Sequence, residues 1–286
     1  MATIKIGKFL SAVYNDMIRD TMKTRIAVIG GPSRNIGLTF EVRGSSSYTR
    51  LYGKEKDKLL ICIGGQNVCT IAGLPETLSS SKVARGLMPG IIKAFNALIN
   101  HELGHDLFTD MADTSIVNYK EPKYINFIHT MFNILEDQVI EYCMEMYYKK
   151  NYPYDINPRV YFDFMIETMF MPQGEDYEDD ETQAGFLNYV LLFFRIGEKN
   201  IKHKCAVFEK YRSDLMPLFR KVIGESDGTL RIKYTIELCE WIIEHITEFD
   251  WEVPDLPETE KVSGRTSGTP GGAAPMKGYG GGGRGI

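Results

Sequence analysis

The chain lacks most of the features that classify a protein at a glance. No apolar run approaches the roughly 18–20 residues of a membrane-spanning helix, and residues 1–10 hold too short an apolar stretch for a secretory signal. No C-x-x-C pair occurs. The five cysteines (Cys62, Cys69, Cys143, Cys205 and Cys239) are odd in number and widely spaced, which argues against a disulfide frame and suits reduced thiols of a cytoplasmic protein. An excess of basic charge is missing too: 33 Lys+Arg against 38 Asp+Glu leave a net charge of −5, the wrong sign for a general nucleic-acid surface. The glycine-bearing stretch Gly30-Gly31-Pro32…Gly37 lacks G-x-G-x-x-G and G-K-[ST] and reads as a turn rather than a phosphate cradle. With 43% hydrophobic and 25% charged residues, the 286-residue chain has the balance of an ordinary globular protein, large enough for one large domain or two small ones.

Composition changes at about Val253. Ten of the 23 residues in 264–286 are glycine, so 256–286 is expected to be a disordered Gly-rich tail or linker, unable to bury enough apolar surface to offset its chain entropy. The folded part is expected over 1–255. Its first 80 residues mix a helical pattern at 8–22 (Phe9, Val13, Met17, Ile18) with β-rich runs at 26–30, 38–44 and 58–65, which predict a small sheet of three or four strands. From 81 to 255 the periodicity is helical, in segments 82–112, 122–150, 158–170, 183–198, 200–223 and 229–248, the first with a potential break at Pro89-Gly90. The fold class expected is therefore α+β, mostly helical with a small N-terminal β-sheet. The acidic run 175–181 does not have the spacing of an EF-hand loop and reads as a solvated loop.

The chemistry concentrates at 100–110, where His101, Glu102, Leu103, Gly104 and His105 spell H-E-x-x-H. Histidines at i and i+4 lie one turn apart on one helix face, so both rings can reach a single zinc ion at the usual ~2.0–2.1 Å. Glu102, one residue round the helix, can take a proton from water activated by that ion. Ile91, Phe95, Leu98, Ile99 and Phe108 supply the apolar face of the same helix, and Gly104 allows a close approach. The chain has only five histidines, which makes the pattern hard to reach by chance.

A third ligand is expected from 133–141, where two frames compete. Glu136 has the longer reach. In the other frame Asp137 is the ligand, and Glu141, one turn on, holds a ligand histidine by its second ring nitrogen. His129, seven residues before Glu136, can line the cleft or serve as an ordinary hydrogen-bonded helix residue. Tyr119, Tyr124 and Tyr142 flank the region as potential donors to a tetrahedral intermediate.

Together, HELGHDLFTD and FNILEDQVIE resemble the H-E-x-x-H…F-T-D…N-x-L-E-D-x-R-x-E pattern of a group of bacterial and phage proteins. These carry a zincin-like metallopeptidase region, a flexible linker and a von Willebrand factor A domain. They include relatives of a cobaltochelatase subunit and of nitric-oxide-reductase activation proteins. The resemblance is close over about 101–141 and loose elsewhere. It implies a zincin-like fold, Zn2+ at the site, a protein or peptide substrate, a MoxR-type AAA+ ATPase as partner, and a cytoplasmic location (the host cytoplasm for a phage-encoded chain). The pattern's arginine is Val139 here. No D-x-S-x-S motif occurs, so a von Willebrand A domain is expected on a separate chain or beyond a truncated form. The expected function is a zinc-dependent metallopeptidase; the alternative is a non-catalytic zinc-binding interaction module or adaptor, for an ATPase or a phage structural component.

Overall fold

The computed structural model describes residues 4–30, 35–52, 58–75, 77–78 and 81–251. The expected Gly-rich tail lies outside the described residues. The fold is α+β and mostly helical, with one small mixed sheet near the N-terminus.

A two-residue strand, β1 (Ile4–Lys5), leads into α1 (Ile6–Val13), which continues through a π-helical turn (Tyr14–Ile18) into α2 (Arg19–Gly30). The run 26–30 is therefore helical and not the strand that its β-branched residues suggested. Ile18, Met22, Ile26 and Ile29 recur at three- and four-residue spacing and are all buried, so the packing period of the helix overrides local preference. The sheet is built from β2 (Asn35–Glu41), β3 (Tyr48–Tyr52) and β4 (Lys58–Gly64) in the order β2-β4-β3, with β4 parallel to β2 and antiparallel to β3. Central β4 buries Leu59, Ile61, Cys62 and Ile63, the signature of a strand covered on both faces. Strand β3 was not anticipated from the sequence, and it proves to be the one that touches the site. The chain then turns from β4 directly into α3 (Gly65–Ile71), and β5 (Thr77–Leu78) pairs with β1.

Helix α4 (Ser81–Phe108) runs unbroken through Pro89, which is exposed, so water can solvate the backbone carbonyl that the missing N–H leaves unpaired. It lies against β4, β3 and α3 on one side and packs against α5 (Ile125–Asn151) on the other. The two pack tightly at Gly104, where an added Cβ would sit 3.1 Å from Met144 Cγ and 3.3 Å from Ile140 Cβ. The remaining helices enclose this pair. They are α6 (Arg159–Met165), extended by a π-helical turn (Ile166–Phe170), then α7 (Met171–Glu175), α8 (Gln183–Ile196), α9 (Ala206–Ile223) and α10 (Gly228–His245). Helix α9 starts later than its sequence pattern indicated, after an extended stretch ending at Cys205. Thr182 and Asp227 cap α8 and α10 by accepting the backbone N–H of Gly185 and Leu230. In the acidic run, Asp179 accepts the N–H of Ala206 at the start of α9, and Asp180 accepts from Thr182. These carboxylates serve helix starts, as the macrodipole favours.

The hydrophobic core is continuous from Leu10 to Phe249, so the β-rich and helical parts share one interior. All five cysteines are free. No helix among the described residues is long and apolar enough to cross a membrane.

Candidate metal centre

Helix α4 is amphipathic, so burying Phe95, Ile99 and Leu103 fixes its rotation and turns His101 and His105 together toward α5. Their rings stand one turn apart, centroids 5.0 Å apart and planes at 84°. Asp137 Oδ1 on α5 lies 3.5 Å from His101 Nε2 and 3.3 Å from His105 Nε2. His101, His105 and Asp137 form the only grouping of three metal-ligating side chains found among the described residues, with one ligand atom from each within 4.8 Å of the others.

The outer atoms of these ligands are held as firmly as the inner ones. Glu141 Oε1 is 2.9 Å from His101 Nδ1. A carboxylate can only accept, so His101 donates there from Nδ1 and turns Nε2 toward Asp137. Arg195, at the end of the apolar helix α8, bridges the two acids: Nη2 is 3.1 Å from Asp137 Oδ2 and Nη1 is 2.5 Å from Glu141 Oε2. With its amide oxygen turned toward α8, Gln138 accepts from Arg195 Nε at 2.8 Å. An arginine thus stands over the acidic motif, although it comes from α8 rather than from position 139. On the other histidine, Nδ1 of His105 lies 3.1 Å from Thr109 Oγ1. His105 Nε2 is buried and makes no hydrogen bond, despite its nearness to Asp137. That orphaned lone pair, another imidazole nitrogen and a carboxylate oxygen converge on one point, a donor set suited to a divalent transition metal.

Glu136, the competing ligand, points elsewhere. Successive helix residues are about 100° apart, and this turn takes Glu136 away from the histidines and onto Arg231 of α10, whose Nε and Nη2 lie 2.7 and 2.8 Å from its carboxylate oxygens. It also accepts from Thr109 at 2.6 Å. His129 is partly buried, with Asn133 at 3.4 Å, and neither belongs to the cluster nor lines its cavity. Burial lowers its pKa. Tyr119 donates to Glu240, Tyr124 packs edge-on against Trp251, and Tyr142 is exposed; none lines the cavity.

Glu102 is 1% exposed. Thr49 of β3 holds its hydroxyl proton between Glu102 Oε2 (3.0 Å) and the Glu102 carbonyl oxygen (2.9 Å). Burial pushes the Glu102 carboxyl up to about 7, opposed by the neighbouring histidines and by Thr49. For His101 burial acts downward, but Asp137 and Glu141 outweigh it and raise the ring to about 10. Burial acts upward on Asp137, but His101, His105 and Arg195 hold it far below the usual carboxylate range.

A cavity of about 260 Å3 opens beside the group, with His101, Glu102 and Asp137 among its lining. Its polar wall comes from Ser45, Ser47, Gln66, Asn67 and Thr70 and its apolar wall from Leu98, Met165, Met169, Phe170 and Leu191, while Gln173 and Arg195 also reach the lining. The polar wall depends on the tight corner where β4 meets α3. There an added Cβ on Gly65 would lie 2.3 Å from the Val42 carbonyl oxygen, and Gln66 N–H bonds the Gly44 carbonyl. A π-helical turn carries Met169 and Phe170, an arrangement frequent at functional sites.

Thr49, Arg195 and Arg231 were not singled out in the sequence, and Thr109 entered only as part of the F-T-D of the resemblance. Thr109 had a local signal, one turn after His105 on the same face. Arg195 had a weaker one, a lone cation closing an otherwise apolar helix. Comparison with family models, curated proteins and solved structures finds no match, so the chemistry of these residues carries the functional argument.

Proposed function

We propose that this domain is a zinc-dependent peptidase in which His101, His105 and Asp137 hold the ion and Glu102 moves the proton. One observation carries the reading: two imidazole nitrogens and one carboxylate oxygen converge beside a cavity that Glu102 also lines. Three protein ligands with one side open is the arrangement of catalytic zinc, whereas structural zinc is closed by four. The buried Nε2 of His105, which makes no hydrogen bond, supports the fit, because a bound ion satisfies it. Bound zinc supplies a Lewis acid that polarises a carbonyl and lowers the pKa of water.

The chain's own residues do the rest. Glu102 takes a proton from the attacking water and returns it to the departing amine, so the carboxylate is regenerated in each turnover. Thr49 keeps that carboxylate in one rotamer. Arg195 is ion-paired with Asp137 and Glu141 and hydrogen-bonded to Asp137 and Gln138, and so orients the acids. The polar wall suits the amide groups of a peptide backbone, and the apolar wall suits an uncharged, bulky side chain next to the bond that is cut.

The test is metal content by elemental analysis together with cleavage of a mixed peptide library. Wild type and Glu102→Gln are expected to carry about one zinc per chain, His101→Ala none, and only the wild type to cleave. Zinc without cleavage in the wild type identifies a non-catalytic zinc module. Absence of zinc from wild type purified without chelator, and no uptake on adding it, overturns both.

A further inference from the structure

We propose that Glu136 and Arg231, acting through Thr109, are positioning residues for His105 and set how tightly the centre holds its metal. The inference rests on the zinc reading and extends it to a relay that spans α4, α5 and α10.

Arg231 is fully buried, and each of its N–H groups has an acceptor. Nε and Nη2 grip the two oxygens of Glu136, Nη2 also reaches the Phe108 carbonyl at the end of α4, and Nη1 reaches the carbonyls of Glu225 and Ser226. So pinned, the guanidinium fixes the Glu136 carboxylate in one geometry. Glu136 Oε1 lies 2.6 Å from Thr109 Oγ1, and Thr109 Oγ1 lies 3.1 Å from His105 Nδ1.

The proton count decides the direction. A hydroxyl carries one hydrogen, and a carboxylate held by an arginine can only accept, so Thr109 gives its hydrogen to Glu136. All that Thr109 can then offer His105 is a lone pair. His105 must place its N–H on Nδ1 and its lone pair on Nε2, the buried atom that makes no hydrogen bond. Negative charge on Glu136 makes the Thr109 oxygen a stronger acceptor, which makes Nε2 a better donor to a metal. His101 has the parallel arrangement, with Glu141 directly on Nδ1 and Arg195 behind it. Each ligand histidine is thus backed by a carboxylate and each carboxylate by a buried arginine from the C-terminal helices.

A purely structural Arg231, tying the end of α4 to α10, is the competing role, and Thr109 separates the two. Thr109→Val keeps the shape, removes the hydroxyl and leaves the Arg231–Glu136 pair in place; Thr109→Ser restores the hydroxyl. Zinc affinity is measured by competition with a chelating dye on the full chain, beside the melting temperature of each metal-free variant. Thr109→Val is expected to bind zinc about 10–100-fold more weakly. Thr109→Ser is expected to stay close to wild type, with all three metal-free proteins melting together. Equal affinity in wild type and Thr109→Val, or a serine variant as weak as the valine one, overturns the relay while the zinc reading stands. A wild type that takes up no zinc overturns both.

Discussion

At the scale of single residues, the centre is governed by which acid faces which cation. Asp137 and Glu136 are adjacent and chemically alike, yet one faces two imidazoles and the other a buried guanidinium. Removing Arg231 therefore does different damage from removing a ligand. Arg231→Met leaves Glu136 charged in the interior and is expected to lower unfolding free energy by about 3–5 kcal/mol, read from urea denaturation. Asp137→Ala is expected to abolish zinc binding in elemental analysis, while Arg195 keeps Glu141 as a counter-charge. On the cavity's apolar wall, Met169→Glu puts a charge where an uncharged side chain should dock. It is expected to lower kcat/KM at least tenfold for peptides with a bulky apolar residue at the cut, with zinc content unchanged.

At the scale of elements, two close approaches place the site, and their tolerances differ. At Gly65 an added Cβ meets the backbone oxygen of Val42 at 2.3 Å, and neither partner can swing aside. Gly65→Ala is expected to cost about 1–3 kcal/mol in denaturant unfolding and to disturb the polar wall formed by Ser45, Ser47 and Gln66. At Gly104 the nearest atom is Met144 Cγ at 3.1 Å, on a flexible side chain, and alanine gains roughly 1 kcal/mol of helix propensity. Gly104→Ala is therefore expected to stay within about 1 kcal/mol of wild type by the same measurement, because the two effects oppose one another. The strand–helix corner is thus more demanding than the glycine inside the motif.

At the scale of the molecule, α4, α5, α8 and α10 each contribute a side chain to the centre or to its supports, so an ion there couples four helices of one core. The core itself extends far beyond the site, from Leu10 to Phe249. Removing zinc with a chelator is expected to lower the melting temperature without unfolding the chain at 25 °C. Binding at a hundred times Kd adds about 2.7 kcal/mol, which for a domain of this size is roughly 5–10 °C. Unchanged far-UV circular dichroism beside a lowered melting temperature is the expected pattern; unfolding at 25 °C would mean that the ion is required for the fold itself.

The sequence by itself determined what depends on neighbours a few residues apart. His101, Glu102 and His105 share a helix whose period places both rings on one face, and the long apolar patterns marked α4, α5, α8 and α10 to within a few residues. It also held both acids that flank the ambiguity at 136 and 137, but helical spacing alone could not say which faced α4. That depended on Arg231, 95 residues beyond Glu136, and on Arg195, 58 residues beyond Asp137. A buried carboxylate is fixed by the cation that desolvates with it, and such a partner is chosen in space. The same reason hid β3. A short strand is stabilised by the ladder and burial that its neighbours supply, and Thr49 met Glu102 only once the sheet had packed against α4.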